Sequence, residues 1–228
     1  MRIIFLGDSL TWGGYGGNFV DVVAQLMPEH DIINAGVGGD TAINIERRLD
    51  DELAEHQPDA AFVMVGGNDA VSYTMPKTRN YYKSSKKIKP DGIVTPEQHA
   101  DAIHNILMEL LGQRILTGLG LAPTEYNAEL LQARRQYADL ARQEAEKLRV
   151  PVLDLFDEFA PEQPVDRDPV DLKFIQVIGQ RSNSGWSDYE AERQHWGYTY
   201  TFDGMHLLPE TAKLYGKRIA AFLTENVL

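Results

Sequence analysis

Five short runs of β-branched and apolar residues recur along the chain, separated by longer stretches whose apolar positions repeat every three or four residues. Alternation of that kind is the signature of βαβ units around a parallel sheet. The runs are Arg2 to Leu6, Asp31 to Asn34, Ala60 to Val65, Arg114 to Gly118 and Val150 to Leu155, each closed by a turn former. Between them Asn18 to Leu26, Ile43 to Glu55, Pro96 to Leu111 and Tyr126 to Leu148 read as helices. Thr95-Pro96-Glu97 supplies a cap, a proline at the first helical position and an early acid. A last helix starts near Pro209-Glu210 and runs to about Asn226. Right-handed crossovers put helices on both faces, so the expected fold is a three-layer α/β/α sandwich around a five-stranded parallel sheet. Its site belongs at the carboxyl ends of the strands. The 228 residues, 43% hydrophobic, suffice for one domain spanning 1–228. Two stretches, 72–94 and 157–202, show no clear period and are longer than a connection needs, so both are expected as loops at the site edge.

Charge narrows the partners. With 34 acidic against 22 basic residues the net charge is −12, which repels nucleic acid and anionic membrane and favours a neutral substrate. There is no cysteine, hence no thiol nucleophile and no cysteine-bound zinc, and no paired histidines stand at metal-ligand spacing. No metal is expected from these residues. The opening apolar run, Ile3 to Leu6, is too short for a signal peptide or a membrane span, so a soluble, cytoplasmic protein is expected.

Three groups of residues carry chemistry. Gly7-Asp8-Ser9-Leu10 follows the first strand directly, placing the Ser9 hydroxyl in a strand-to-helix turn where a helix N-terminus favours negative charge. Taken alone, Ser9 reads better as a helix cap than as a nucleophile. Asp203-Gly204-Met205-His206 precedes the last helix, and its three-residue spacing lets the carboxylate reach the imidazole, leaving the other ring nitrogen for Ser9. The turns Asn34 to Thr41 and Val65 to Asp69 offer backbone N–H groups and an amide at the same sheet edge, as an oxyanion hole requires. Each group has an ordinary structural explanation, but together they complete a site for acyl transfer.

These blocks resemble the SGNH, or GDSL-type, hydrolases: Gly7-Asp8-Ser9-Leu10, Gly39-Asp40-Thr41, Gly66-Gly67-Asn68-Asp69 and Asp203-Gly204-Met205-His206 stand in the family's order across nearly the whole chain. The resemblance implies a flavodoxin-like fold, with Ser9 as nucleophile and Asp203 and His206 completing a triad. It also implies an oxyanion hole formed by the N–H groups of Ser9 and Gly39 and the amide of Asn68. Gly39 is preferred to Gly38 because it directly precedes Asp40-Thr41. Asp8 and Asp69 are implied as residues that hold their turns. The implied reaction is ester hydrolysis through an acyl-enzyme, without cofactor.

The two long stretches depart from the family's minimal form. The second holds Trp186 and Trp196, while Trp12 follows the nucleophile, so all three tryptophans are expected as walls for a sugar face or an acyl group, or else as packing for the excursion. His195 lacks an acid at triad spacing and reads as a surface or substrate-contacting residue. The first stretch concentrates Lys77, Arg79, Lys83, Lys86, Lys87 and Lys89 with Tyr73, Tyr81 and Tyr82, as a solvated loop, a mobile lid or a contact for a second copy in a homo-oligomer. A phosphate-binding loop is excluded, because Gly13 to Gly17 fits neither G-x-x-x-x-G-K-[ST] nor G-x-G-x-x-G. The expected substrate is a short acyl ester, acetyl foremost, of a carbohydrate or small molecule. A broad lipase or thioesterase stands second, and an inactive binding module is the alternative of another class.

Overall fold

A computed structural model describes residues 1–228. In chain order the elements are β1 (Arg2–Gly7), α1 (Ser9–Trp12), α2 (Phe19–Leu26), β2 (Asp31–Gly36), α3 (Ala42–His56), β3 (Ala60–Met64), α4 (Gly67–Thr74) and α5 (Arg79–Ser84). Then follow α6 (Pro96–Gly112), β4 (Leu116–Leu121), α7 (Ala128–Leu148), β5 (Val152–Asp154), α8 (Phe156–Phe159), α9 (Leu172–Ser184), α10 (Tyr189–Trp196) and α11 (Pro209–Phe222). The five strands form one parallel sheet in the order β2-β1-β3-β4-β5. The chain steps from β1 to β2, then crosses back to β3 and continues outward. The reversal falls between β1 and β3, where the following loops diverge and open a crevice. Ser9 follows β1 and Asn68 follows β3, so this crevice receives both.

Alternation along the strands feeds two cores. Ile4 and Leu6 of β1 with Ala61 and Val63 of β3 face α3, α6 and α7, which contribute Ile45, Ile103, Leu107 and Ala141. Ile3, Phe5, Ala60 and Phe62 face the other way, onto Phe19 and Val23 of α2 and Tyr215 and Ile219 of α11. The expected α/β/α sandwich is therefore what forms. Phe62 is 1% exposed and its ring meets Phe5 at 5.6 Å and Phe222 at 6.1 Å. Truncating such a side chain to alanine leaves a cavity and costs about 3–5 kcal/mol. The helices start where capping residues stand. Asn18 accepts the N–H groups of Val20 and Asp21, Asn127 that of Leu130, and Thr95 with Gln98 closes a capping box.

Every strand differs from the sequence reading by a residue or more at its ends, β4 and β5 the most. β4 begins at Leu116 because Arg114 sits at φ 62° in the turn that leaves α6, and β5 is confined to Val152–Asp154. The two stretches without a visible period are not plain loops. The first holds the end of α4, a 3-10 turn and α5, and the second holds α8, α9 and α10. Tyr82, Ile88 and Val94 sink into a third cluster with Val71, Leu130 and Tyr137, so the first segment is tied to the domain. Neither α9 nor α10 buries a side chain fully. No helix is long and apolar enough to cross a membrane.

Candidate active site

Ser9 opens α1, so its N–H has no carbonyl within the helix to bond. The cap is Asp8, whose carboxylate accepts the Leu10 N–H at 3.0 Å, and the Ser9 hydroxyl is left to face the crevice. His206 Nε2 lies 3.0 Å from Ser9 Oγ. On the other side of the ring, Nδ1 lies 2.8 Å from Asp203 Oδ2. The remaining oxygen of Asp203 accepts the N–H groups of Met205 at 2.9 Å and His206 at 2.8 Å, so the carboxylate is fixed at both ends. Such a chain of contacts places the Nδ1 proton toward Asp203 and a lone pair toward Ser9.

The turn carrying the pair is held from outside. Gly204 sits at φ 93°, and a Cβ there would come within 2.7 Å of the Tyr126 backbone. Its carbonyl accepts the Glu125 N–H at 2.9 Å and the Thr124 hydroxyl at 2.7 Å. Arg167 donates to the Asp203 carbonyl at 2.7 Å and to the Tyr198 hydroxyl at 3.0 Å.

Burial and charge oppose each other in this group. Burial works to raise the Asp203 pKa, but the His206 charge and the hydrogen bonds outweigh it and hold the carboxyl below its ordinary range. Burial works to lower the His206 pKa, and the Asp203 charge and hydrogen bond outweigh that, leaving it raised. Asp8 gains too little to compensate. Burial pushes its carboxyl up to about 6, against the N–H of Leu10 and the charge of Arg134.

Across the crevice Asn68 is clamped at both ends of its amide. Its oxygen accepts the Tyr82 hydroxyl at 2.8 Å, and its nitrogen donates to the Asp40 carbonyl at 3.1 Å and, in a longer contact of 3.5 Å, to Asp8 Oδ2. Gly39 stands at φ 81°, and a Cβ there would fall 2.2 Å from the Tyr81 hydroxyl, so no side chain fits. Asp40 is bound by Arg48 at 3.0 Å and by Lys86 at 2.9 Å, which spends one of the lysines expected to attract a substrate. Asp69, fully buried, accepts the Ala42 N–H and meets His99 Nδ1 at 2.9 Å, tying α4 to the start of α3.

A cavity of about 430 Å³ opens beside Ser9, with Gly38, Gly39, Asn68 and His206 in its wall. Trp12 lines it, as expected, and is 42% exposed at the mouth. Trp186 and Trp196 do not. Trp186 stacks behind Tyr15 and under the Arg181 guanidinium, whose centre is 4.0 Å away, and Tyr15 in turn meets the His206 ring edge-on at 5.0 Å. The Trp196 face is covered by Arg167 at 3.8 Å and its indole N–H is donated to Glu192. Both faces are thus spent on packing. His195 is exposed on α10 and lines neither this cavity nor a second one behind α9. No group of three His, Asp or Glu side chains is gathered to hold a metal.

Sequence reasoning passed over Glu125, Arg134 and Arg167, and took Tyr82 only as part of the basic stretch. For Arg134 a signal existed. It shares the stripe of Leu130, Tyr137, Ala138 and Ala141 on α7, and a charge on a buried stripe needs a reason. It is 5% exposed, donates to the Ala122 carbonyl and lines the cavity floor. The other three carry no motif.

Residues 5–213 match the GDSL-like lipase/acylhydrolase family. The chain belongs to that family. This agrees with the four motif blocks and with the sheet. Among curated relatives, an arylesterase of Vibrio mimicus is 34% identical over 101 residues, 40% of this chain and 50% of the relative. An uncharacterized lipoprotein, YqeF, of Bacillus subtilis is 28% identical over 142 residues, 57% of this chain and 56% of the relative. The chain thus spans about half the length of these relatives. Among solved structures, the acetyl xylan esterase AlAXEase superposes with a TM-score of 0.64 at 16% identity, covering 97% of this chain and 98% of that one. A lipase/acylhydrolase from Enterococcus faecalis gives 0.62 at 18% identity, covering 100% and 97%. A catalytic mutant of Axe2, an acetylxylan esterase from Geobacillus stearothermophilus, gives 0.63 at 17% identity, covering 98% and 93%. At these identities the likeness is one of fold.

Proposed function

We propose that this chain is a serine esterase that hydrolyses a small, neutral carboxylic ester through an acyl-enzyme on Ser9. The observation that carries the reading is the continuous contact from Asp203 through His206 to Ser9 Oγ, with steps of 2.8 and 3.0 Å, at the wall of a cavity large enough for a small ligand. Ser9 Oγ attacks the carbonyl carbon as its proton passes to His206 Nε2, and the carbonyl electron pair moves onto oxygen. The N–H groups of Ser9 and Gly39 and the Asn68 amide receive that oxyanion. The intermediate collapses, the carbon–alcohol oxygen bond breaks, and His206 returns its proton to the departing alcohol. Water then repeats the cycle, releasing the acid and restoring Ser9. Asp203 stabilises the imidazolium in both halves and stays ionised.

A fluorophosphonate probe is expected to label the native protein at one residue, and Ser9→Ala is expected to abolish both labelling and hydrolysis of p-nitrophenyl esters. Labelling that persists in Ser9→Ala would overturn the assignment.

A second reading, an acetyl group on a carbohydrate, is supported by the exposed indole of Trp12 at the cavity mouth, a flat face that suits a sugar ring. The two acetyl xylan esterases among the structural neighbours point the same way. Release of acetate from acetylated xylo-oligosaccharides at a higher kcat/KM than from p-nitrophenyl acetate would favour it.

A further inference from the structure

We infer that the cavity beside Ser9 houses an unbranched alkyl acyl group of intermediate length, and that α9 is the wall that limits it. The inference rests on Ser9 being the nucleophile, as proposed above. The deep end of the cavity is built by Val71, Leu130 and Val170, exposed by 4%, 1% and 1%, with the ring of Tyr82 beside them. Over these lies one stripe of α9, formed by Phe174, Ile175 and Ile178.

Two of the polar groups beside them are already engaged, the Tyr82 hydroxyl given to Asn68 and the Thr124 hydroxyl to the Gly204 carbonyl, while Arg134 spends one donor on the Ala122 carbonyl. Along the wall of Val71, Leu130, Val170 and α9 a sugar would lose water without gaining partners, whereas methylenes would not. A volume of about 430 Å³ lies at the small end of the usual ligand range. The opposite end is open, where Trp12 is 42% exposed. The alcohol leaves first and needs an exit, while the acyl group stays on Ser9 until water arrives, so the closed apolar end suits the acyl group.

α9 comes from the stretch in which the chain exceeds the minimal family form, and it has space on both sides. A second cavity, of about 600 Å³, lies against its other face beside Lys173, Val177 and Arg181. Gly179 lines the first cavity, and a Cβ built there meets nothing within 4 Å. The wall can therefore be reshaped without disturbing a packed core, and leucine at 179 is a better helix former than glycine.

The test is kcat/KM for p-nitrophenyl acetate, butyrate, hexanoate and octanoate in the native protein, Gly179→Leu and Ile178→Ala. In the native protein the value is expected to rise beyond acetate, by up to about fourfold per methylene, which is about 0.8 kcal/mol at about 1.4 kcal/mol per tenfold. Gly179→Leu is expected to lower the octanoate-to-acetate ratio at least tenfold, and Ile178→Ala to raise it. A series of acetates with growing alkyl alcohols is expected not to follow these changes. Acetate as the best acyl group, variants that scale all esters equally, or variants that move the alcohol series instead would each overturn the inference. Fluorophosphonate labelling of Ser9 in the same preparations separates the cases. If labelling persists, only the role of α9 fails, and if it is absent, the nucleophile assignment fails with it.

Discussion

Glu125 grips Thr201 twice, accepting both its N–H and its hydroxyl at 2.7 Å. The same carboxylate takes the N–H groups of Thr199 at 2.9 Å and Tyr200 at 2.8 Å. Three consecutive backbone donors thus end on one buried acid two residues before Asp203, which sets where the Asp203 turn begins. An amide in its place offers one acceptor oxygen and turns two protons toward donors. Glu125→Gln is therefore expected to lower stability by about 1–3 kcal/mol, the range for a buried donor left unpaired. The urea midpoint measures it, and an unchanged midpoint would show that the turn holds without Glu125.

Asp203→Asn keeps the shape of the pair but removes the charge that fixes the His206 tautomer. A loss in kcat of up to about 10⁴-fold is expected with the fold intact by circular dichroism. Rates within a few-fold of native would mean that another group orients His206.

The pH dependence of kcat/KM follows from His206, which must be neutral to accept the Ser9 proton. Its pKa is raised above the ordinary 6.5, with the charge of Asp203 overcoming burial, so activity is expected to fall on the acid side with a midpoint above 6.5. A limb centred well below that value in the native protein would contradict the geometry.

Asp8 predicts the opposite behaviour in stability. Its carboxyl is pushed from 3.8 up to about 6 by burial, so in the folded state the ionised form is disfavoured. Above pH 6 that costs about 3 kcal/mol, and the cost fades as pH falls through 6 toward 3.8. Asp8→Asn, which can still accept the Leu10 N–H, is expected to raise the urea midpoint at pH 8 and to give about a third of that gain at pH 4.5. Equal gains at both pH values would show that ionisation is not the cause.

Tyr82→Phe removes the hydroxyl that holds Asn68 Oδ1 at 2.8 Å while leaving the buried ring in place. The amide is then held only through its nitrogen, by the Asp40 carbonyl at 3.1 Å and Asp8 Oδ2 at 3.5 Å. A fall in kcat of about tenfold is expected with KM little changed, smaller than the 10²–10³-fold typical of losing an oxyanion donor outright. A change confined to KM would place Tyr82 in substrate binding instead.

What could be read from the residues divides along physical lines. The strands, the long helices and the Ser9, Asn68 and Asp203-His206 groups announce themselves because period, caps and turn residues are local signals. α5, α9 and α10 do not. α9 and α10 bury no side chain fully, so their apolar positions carry little of the core signal that marks the other helices, and Tyr82 and Ile88 are buried by partners far along the chain. The tryptophans show the limit most plainly. Composition suggests aromatic walls for all three, yet Arg167 and Arg181 cover the faces of two, and pairing of that kind leaves no trace in spacing. Glu125 is likewise invisible, since its four donors stand 74 to 76 positions away.

The light attachment of α9 has a consequence for how such a chain changes over generations. α9 adds nothing to either main core, yet Phe174, Ile175 and Ile178 line the cavity. Substitutions on α9 that leave the packing of Phe174 and Arg181 intact meet a smaller folding penalty than substitutions under the sheet, so the cavity wall can vary there while Ser9, Asp203 and His206 stay fixed.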